Sequence, residues 1–255
     1  MGVILTIAIN TLRGFSRDRV FHATLFLSIA LVLFSYGLST LTIVESQKLL
    51  LDFGLAAVSL SGALISIFLG ISAVSQEIQT KVIYSILSKP IPRVAYLIGK
   101  YFGAGLVVLV AHVIMSLTLC AITIAIGTGL PDGLFACFYL MFLESLIILA
   151  IALFSSIFSS TVLATSFTIG MFLIGRSAYA FRTASERSTD EFTRWFLRGL
   201  HDILPNLERY NIREVVAYSK PYPENMIAMS SAYGLVYITF FLAFSALLFH
   251  RKDLP

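Results

Sequence analysis

The sequence predicts an all-α integral membrane protein with six transmembrane helices, an N-terminal interfacial helix, an amphipathic helix between the second and third spans, and an amphipathic external segment before the last span. Three observations carry this. Of 255 residues, 58% are hydrophobic and only 13% charged, with a mean hydropathy of +0.89, which is more apolar surface than a water-soluble domain can hide. Long uncharged runs recur along the whole chain. The basic residues cluster beside those runs, so the formal charge of +4 describes headgroup anchoring and orientation, and no nucleic-acid partner is implied.

The elements follow in order. Ile4, Leu5, Ala8, Ile9 and Leu12 fall at helical spacing and are followed by Arg13, Arg17, Asp18 and Arg19, which suits a helix lying in the membrane interface. Apolar first and basic afterwards is the reverse of a secretory signal, so no cleavage is expected. The first span, 20–41, is uncharged apart from His22; at a rise of about 1.5 Å per residue it crosses a hydrocarbon core of about 30 Å. Glu45, Lys48 and Asp52 mark a polar connection before the second span, 53–75, where Gly62 and Gly70 lie among Ser59, Ser61, Ser66 and Ser72, small residues that permit close helix contact in lipid.

Between Gln76 and Lys100 stands a charged island. Ile78, Val82, Ile83, Ile86 and Leu87 recur at helical spacing, with Glu77, Gln79, Thr80, Lys81, Ser85 and Ser88 mainly on the other side, predicting a short amphipathic helix over about 77–88. Lys89-Pro90-Ile91-Pro92-Arg93 ends it, because each proline pushes its predecessor out of the α region and cannot continue the helix. The third span, 98–130, contains His112 and begins with a Gly99-x-x-x-Gly103 pair, and Pro131-Asp132-Gly133 supplies a turn. From Leu134 to Gly175 the only ionisable side chain apart from cysteine and tyrosine is Glu144. That stretch is long enough for two spans, 134–158 and 161–176, divided at Ser159-Ser160 and closed by Arg176. The sizeable polar region follows; within about 181–224, Phe192, Trp195, Phe196, Leu200, Ile203 and Leu204 recur every three to four residues, an amphipathic helix against the membrane face ended near Pro205-Asn206. The last span is 226–249, and residues 1–255 read as one transmembrane domain.

Six spans place both termini on one side. That side holds Arg13, Arg17, Arg19, Lys81, Lys89, Arg93, Lys100, Arg251 and Lys252, against Lys48 alone in the two short opposite connections. The long fifth connection is also rich in arginine and weighs the other way. The remaining count makes the termini and the 76–100 island cytoplasmic, in a bacterial inner membrane.

Chemistry is sparse. There is no Gly-x-x-x-x-Gly-Lys phosphate loop, no His-Glu-x-x-His and no Gly-x-Ser-x-Gly, so the chain is not expected to hydrolyse ATP and enzyme readings start weak. Cys120 and Cys137 lie in or beside apolar segments without a second thiol or histidine at ligand spacing and read as packing residues; no metal or cofactor is expected in this chain. Glu144 within a span is costly unless it pairs, protonates or faces water. It is a candidate for a translocation path, with His112 as a candidate partner. The plainer alternatives are a hydrogen-bonded structural glutamate and a satisfied core histidine.

An acid after the second span, an amphipathic helix, then Leu87-Ser88-Lys89-Pro90-Ile91-Pro92-Arg93 and Gly99-Lys100 resemble the cytoplasmic segment of permease subunits in type-2 ATP-binding-cassette exporters. Glu77, Ser88, Pro90, Ile91, Arg93, Gly99 and Lys100 fill that pattern. The glycine often seen shortly after the acid is absent, with Thr80 and Lys81 in its area. Leu204-Pro205-Asn206-Leu207-Glu208-Arg209-Tyr210-Asn211 also resembles a segment before the last span of some such permeases. The resemblance implies a coupling helix at about 77–88, with Glu77, Ile78, Lys81, Tyr84, Ser88, Pro90 and Arg93 facing a separate ATPase. Two ATPase copies would carry ATP and Mg, and a second permease copy or homologue would complete the transporter. The polar region would lie outside as a gate, where a periplasmic or surface accessory protein could join. Within that implication stand bulk export and service to assembly of an extracytoplasmic machine, as in gliding-motility and nitrous-oxide-reductase maturation relatives. Outside it stands an intramembrane enzyme using Glu144.

Overall fold

The computed structural model describes residues 2–40, 46–79, 92–127, 129–187, 190–218, 220–221, 223 and 225–251. Among them the regular structure is helical throughout: α1 Gly2–Phe15, α2 Arg19–Ser39, α3 Ser46–Gln79, α4 Arg93–Ala125, α5 Leu134–Phe158, α6 Thr161–Arg176, α7 Ala178–Arg187, α8 Glu191–Ile203, a 3-10 turn at Leu207–Tyr210, α9 Arg213–Ala217 and α10 Met226–Arg251. Five of these, α2, α3, α4, α5 and α10, are long and apolar enough to cross a membrane. The protein is therefore an all-α integral membrane protein.

The expected fifth span is where the layout departs from six plain crossings. α6 has 16 residues, about 24 Å, short of a hydrocarbon core, and it meets α7 at a bend of 58°. The Ser177 N–H reaches both Leu173 O and Ile174 O at 3.0 Å, tightening the last turn where the direction changes. The pair counts as a sixth crossing only as one broken span.

Local chemistry accounts for the other boundaries. The Asp18 carboxylate accepts the Val20 N–H at 2.8 Å and so starts α2 apart from α1. α4 begins and ends five residues earlier than the predicted third span, because Pro92 stands at its N-cap with extended backbone and Gly127 and Gly129 follow its end with φ of 80° and 72°. α3 runs four residues beyond the expected end at Ser75, since nothing between Ser75 and Gln79 breaks a helix. Most of the predicted amphipathic helix, from Thr80 through Ser88, lies outside the described residues. The amphipathic helix expected before Pro205 is α8, which packs against α7. The Asp190 carboxylate opens α8 by accepting the Thr193 hydroxyl at 2.6 Å and its N–H at 2.9 Å, contacts that hold it below the usual carboxylate range. Phe192 and Trp195 project outward from α8, as aromatic side chains do at a membrane interface.

α3 is the centre of the bundle and packs against α2, α4, α5, α6 and α9. Glycine makes its closest crossing possible. A Cβ at Gly70 would lie 2.5 Å from Ala152 Cβ and 2.9 Å from Leu149 O on α5. α1 lies along α4 by the same device: a Cβ at Gly103 would meet Ala8 O at 2.7 Å, and one at Gly99 would meet Ile4 O at 3.1 Å. The Gly99-x-x-x-Gly103 pair is thus the seat of the N-terminal helix. The Arg93 guanidinium donates to Phe249 O at 2.8 Å, so α1, the end of α10 and both sides of the 80–91 connection gather at one end of the bundle. At the other end the Lys48 ammonium sits 5.4 Å from the centre of the Tyr218 ring.

Gly70→Ala is expected to destabilise the protein by about 2 kcal/mol through backbone-to-backbone overpacking. Gly170→Ala, where a new Cβ meets nothing within 4 Å, should be neutral or slightly stabilising. Thermal unfolding of both variants in one detergent checks the contrast.

Candidate functional site

Two polar constellations stand out in this apolar bundle. The first closes the end of the α3–α4 hairpin. With 34 and 33 residues, α3 and α4 are each about 50 Å long, well beyond a core of about 30 Å, so they overhang it as a pair. In the last turn of α3 the Glu77 carboxylate accepts from Lys100 Nζ at 2.5 Å and from the Tyr96 hydroxyl. Tyr96 and Lys100 are four residues apart on α4 and therefore share a face. Lys100 is only 7% exposed, which makes the charge-assisted bond an obligatory partner for its ammonium.

This clamp extends to the last helix. The Tyr96 ring stacks on Phe249 with centroids 5.9 Å apart. Arg93 Nη1 donates to Phe249 O at 2.8 Å and to His250 O at 3.2 Å, carbonyls that near a helix C-terminus lack intrahelical donors and carry the negative end of the dipole. Of the residues expected to face a partner, Glu77 and Arg93 are thus engaged within the chain. Ile78 lies in the last turn of α3, and Lys81, Tyr84, Ser88 and Pro90 fall outside the described residues. Tyr96 carries no sequence signal beyond its spacing of four from Lys100.

The second constellation is buried halfway along the bundle. Glu144 of α5 is 2% exposed. Arg176 Nε lies 3.1 Å from its Oε1, an ion-pair contact without hydrogen-bond alignment, and Arg176 Nη2 is 3.4 Å from Oε2. Ser59 of α3 links the two, accepting from Arg176 and donating to Glu144 Oε2 at 3.3 Å. His112 faces elsewhere: its Nδ1 is 3.1 Å from Val108 O and its Nε2 is 3.3 Å from the Ser145 hydroxyl. Gly62 leaves room for that ring, since a Cβ there would come within 2.4 Å of it. Glu144 and His112 therefore occupy neighbouring positions on α5 and α4 without bonding to each other: His112 is met by Val108 O and Ser145, and Glu144 by Arg176 and Ser59, with its Oε1 held by ion pairing alone. Among the described residues no three His, Cys, Asp or Glu side chains converge as a metal site would require.

Arg176 is the residue the sequence concealed, since it reads as the polar end of a span. Glu144 lies fifteen residues before Ser159 and Arg176 sixteen after Ser160, so in an antiparallel hairpin turned at those serines the two stand level, about 22–24 Å from the turn.

The Leu204 to Asn211 segment packs into the bundle at the bend of α6. A Cβ at Gly175 would meet Pro205 O at 2.7 Å, Leu207 and Tyr210 are fully buried, and the Tyr210 hydroxyl donates to Ser230 O at 2.9 Å. Burial raises the Tyr210 phenol above its ordinary value, so it remains a donor throughout the neutral range. The Asn206 N–H donates to the Tyr233 hydroxyl at 2.8 Å. This segment fixes the start of α10 against α5 and α6.

Arg176→Leu leaves Glu144 buried beside Ser59 alone and is expected to cost about 3–5 kcal/mol. Arg176→Leu with Glu144→Leu should recover most of that loss, because the charge and its partner leave together. A double-mutant cycle read by thermal unfolding checks both. Comparison with protein-family models and with curated proteins finds no match; the described residues by themselves show a helical membrane protein with five helices long and apolar enough to cross, or six if the bent pair is one span.

Proposed function

We propose that the chain is the permease subunit of a type-2 ATP-binding-cassette exporter, working as a dimer and driven by two copies of a separate ATPase that binds ATP and Mg. The observation that carries this reading is the meeting of the motif residues: Glu77 and Lys100, first and last of the pattern, are bonded to each other, while Gly99 and Arg93 between them hold α1 and α10. A push on the connection between Gln79 and Pro92 would then move α1, α3, α4 and α10 together instead of flexing a loop. α3 would hand the displacement to α5 through the Gly62 and Gly70 crossings and to the broken span through Ser59 and Arg176. Packed helices with two arrangements convert such a push into a change of access.

In this reading the clamp and both termini are cytoplasmic, by the basic-residue count, and the α7–α8 hairpin faces outward. The cargo is a lipid, glycan, drug or peptide, or the permease serves an extracytoplasmic assembly. A catalytic role for Glu144 is disfavoured by its engagement with Arg176 and Ser59 inside packed helices.

Co-expression with an ATP-binding-cassette ATPase subunit, sought first among the reading frames beside the gene, tests the reading. The wild-type chain is expected to co-purify with vanadate-sensitive ATPase activity, and Glu77→Ala with Arg93→Ala should lower that activity at least about tenfold, the equivalent of 1.4 kcal/mol of coupling, without loss of expression. A cysteine at Tyr84 should cross-link to the ATPase. A chain that purifies alone and gives no cross-link in any nucleotide state would sink the proposal.

A further inference from the structure

Beside the clamp lies a cleft of about 470 Å³ lined by α1, the α1–α2 link, α3 and α4, including Asn10, Thr11, Arg13, Arg17, Asp18 and Lys100. Its charge is unbalanced in a particular way. Glu77 accepts from Lys100 and Tyr96 and Asp18 accepts the Val20 N–H, so three cations, Arg13, Arg17 and Lys100, face two carboxylates on its wall. Arg13 and Arg17 are exposed and form no ion pair among the described residues. The Thr11 side chain is 5% exposed, and its hydroxyl has no hydrogen-bond partner. Two unpaired guanidinium groups and an unused buried hydroxyl around one cleft call for an anion with several acceptor oxygens.

The surroundings say what carries that anion. Leu5, Ile9 and Arg13 follow one another at intervals of four on α1, so they form one stripe, and Leu5 and Ile9 are 62% and 39% exposed. α2 begins at Arg19, next to Arg17 and Asp18 on the cleft wall, so the cleft lies at the level where the chain enters the hydrocarbon. We propose that the cleft binds the phosphate of an anionic glycerophospholipid, with Arg13 and Arg17 on the phosphate oxygens and Thr11 as a further donor. The volume suits a headgroup, within the usual range of small-molecule pockets, and basic pockets at helix ends recognise anionic lipids by this chemistry. Because Lys100 and Glu77 form the inner wall, the bound headgroup stands against the clamp that joins α3 to α4. The proposal concerns lipid recognition by this chain and does not depend on an ATPase.

Native mass spectrometry of the full chain, released from bilayers of equal phosphatidylglycerol and phosphatidylcholine, tests it. The wild type is expected to retain phosphatidylglycerol preferentially, and Arg13→Ala with Arg17→Ala should reduce that retention about tenfold. Arg182→Ala with Arg187→Ala, which removes two exposed arginines of α7, should leave it unchanged. Thr11→Val, which alters no charge, should weaken retention about threefold. Equal retention of both lipids by the wild type, preference that survives loss of Arg13 and Arg17, equal loss in the α7 variant, or displacement of the lipid by millimolar inorganic phosphate would each overturn the proposal. The last outcome would assign the cleft to free phosphate.

Discussion

Inside lipid, helices gain little by hiding apolar side chains from one another, so association depends on close backbone contact and on polar groups that must find partners. The crossing of α3 with α5 at Gly70 meets the first condition, with Ala152 and the Leu149 carbonyl where a side chain would otherwise stand. Everything else is arranged around that crossing. α3 touches most of the other helices, and its two polar side chains of consequence, Ser59 and Glu77, each join it to another helix.

Those polar joints answer different costs. Glu77, Tyr96 and Lys100 lie near the end of the bundle, where the carboxylate keeps some access to water while the ammonium, 7% exposed, depends on it for a partner. Glu144, Arg176 and Ser59 lie in the packed interior, where either ion alone would be expensive and the pair is tolerated because each neutralises the other. The first joint sets the directions in which α3 and α4 leave the bundle. The second sets the depth at which α6 stops.

Much of the fold was legible in the sequence because hydrophobic runs and their breakers are local signals. The tight turn at Ser159-Ser160 and the bounds of α5 and α6 follow from a long uncharged stretch with a polar pair at its centre. The amphipathic character of α8 follows from the spacing of Phe192 and Trp195. What was not legible depends on partners distant in the chain. The Gly99-x-x-x-Gly103 pair announced a close contact but not that α1 makes it. Glu144 announced a cost but not that Arg176 meets it, since a charged residue after an apolar run is the ordinary end of a span. The shortness of α6 was visible as a count of residues, yet its meaning required the 58° bend.

That bend bears on how the chain enters a membrane. A segment of 16 residues, mostly apolar and ending in arginine, is a poor candidate for independent insertion, and a glutamate near the middle of α5 raises the cost of that helix as well, by about 2.5–3.5 kcal/mol on biological insertion scales for a charge at a helix centre. Delivered together as one hairpin around Ser159-Ser160, the two charges arrive level with each other and can neutralise before either meets hydrocarbon alone. A hairpin of α5 and α6 thus costs less to bury than either helix alone, because its two charges pair within it.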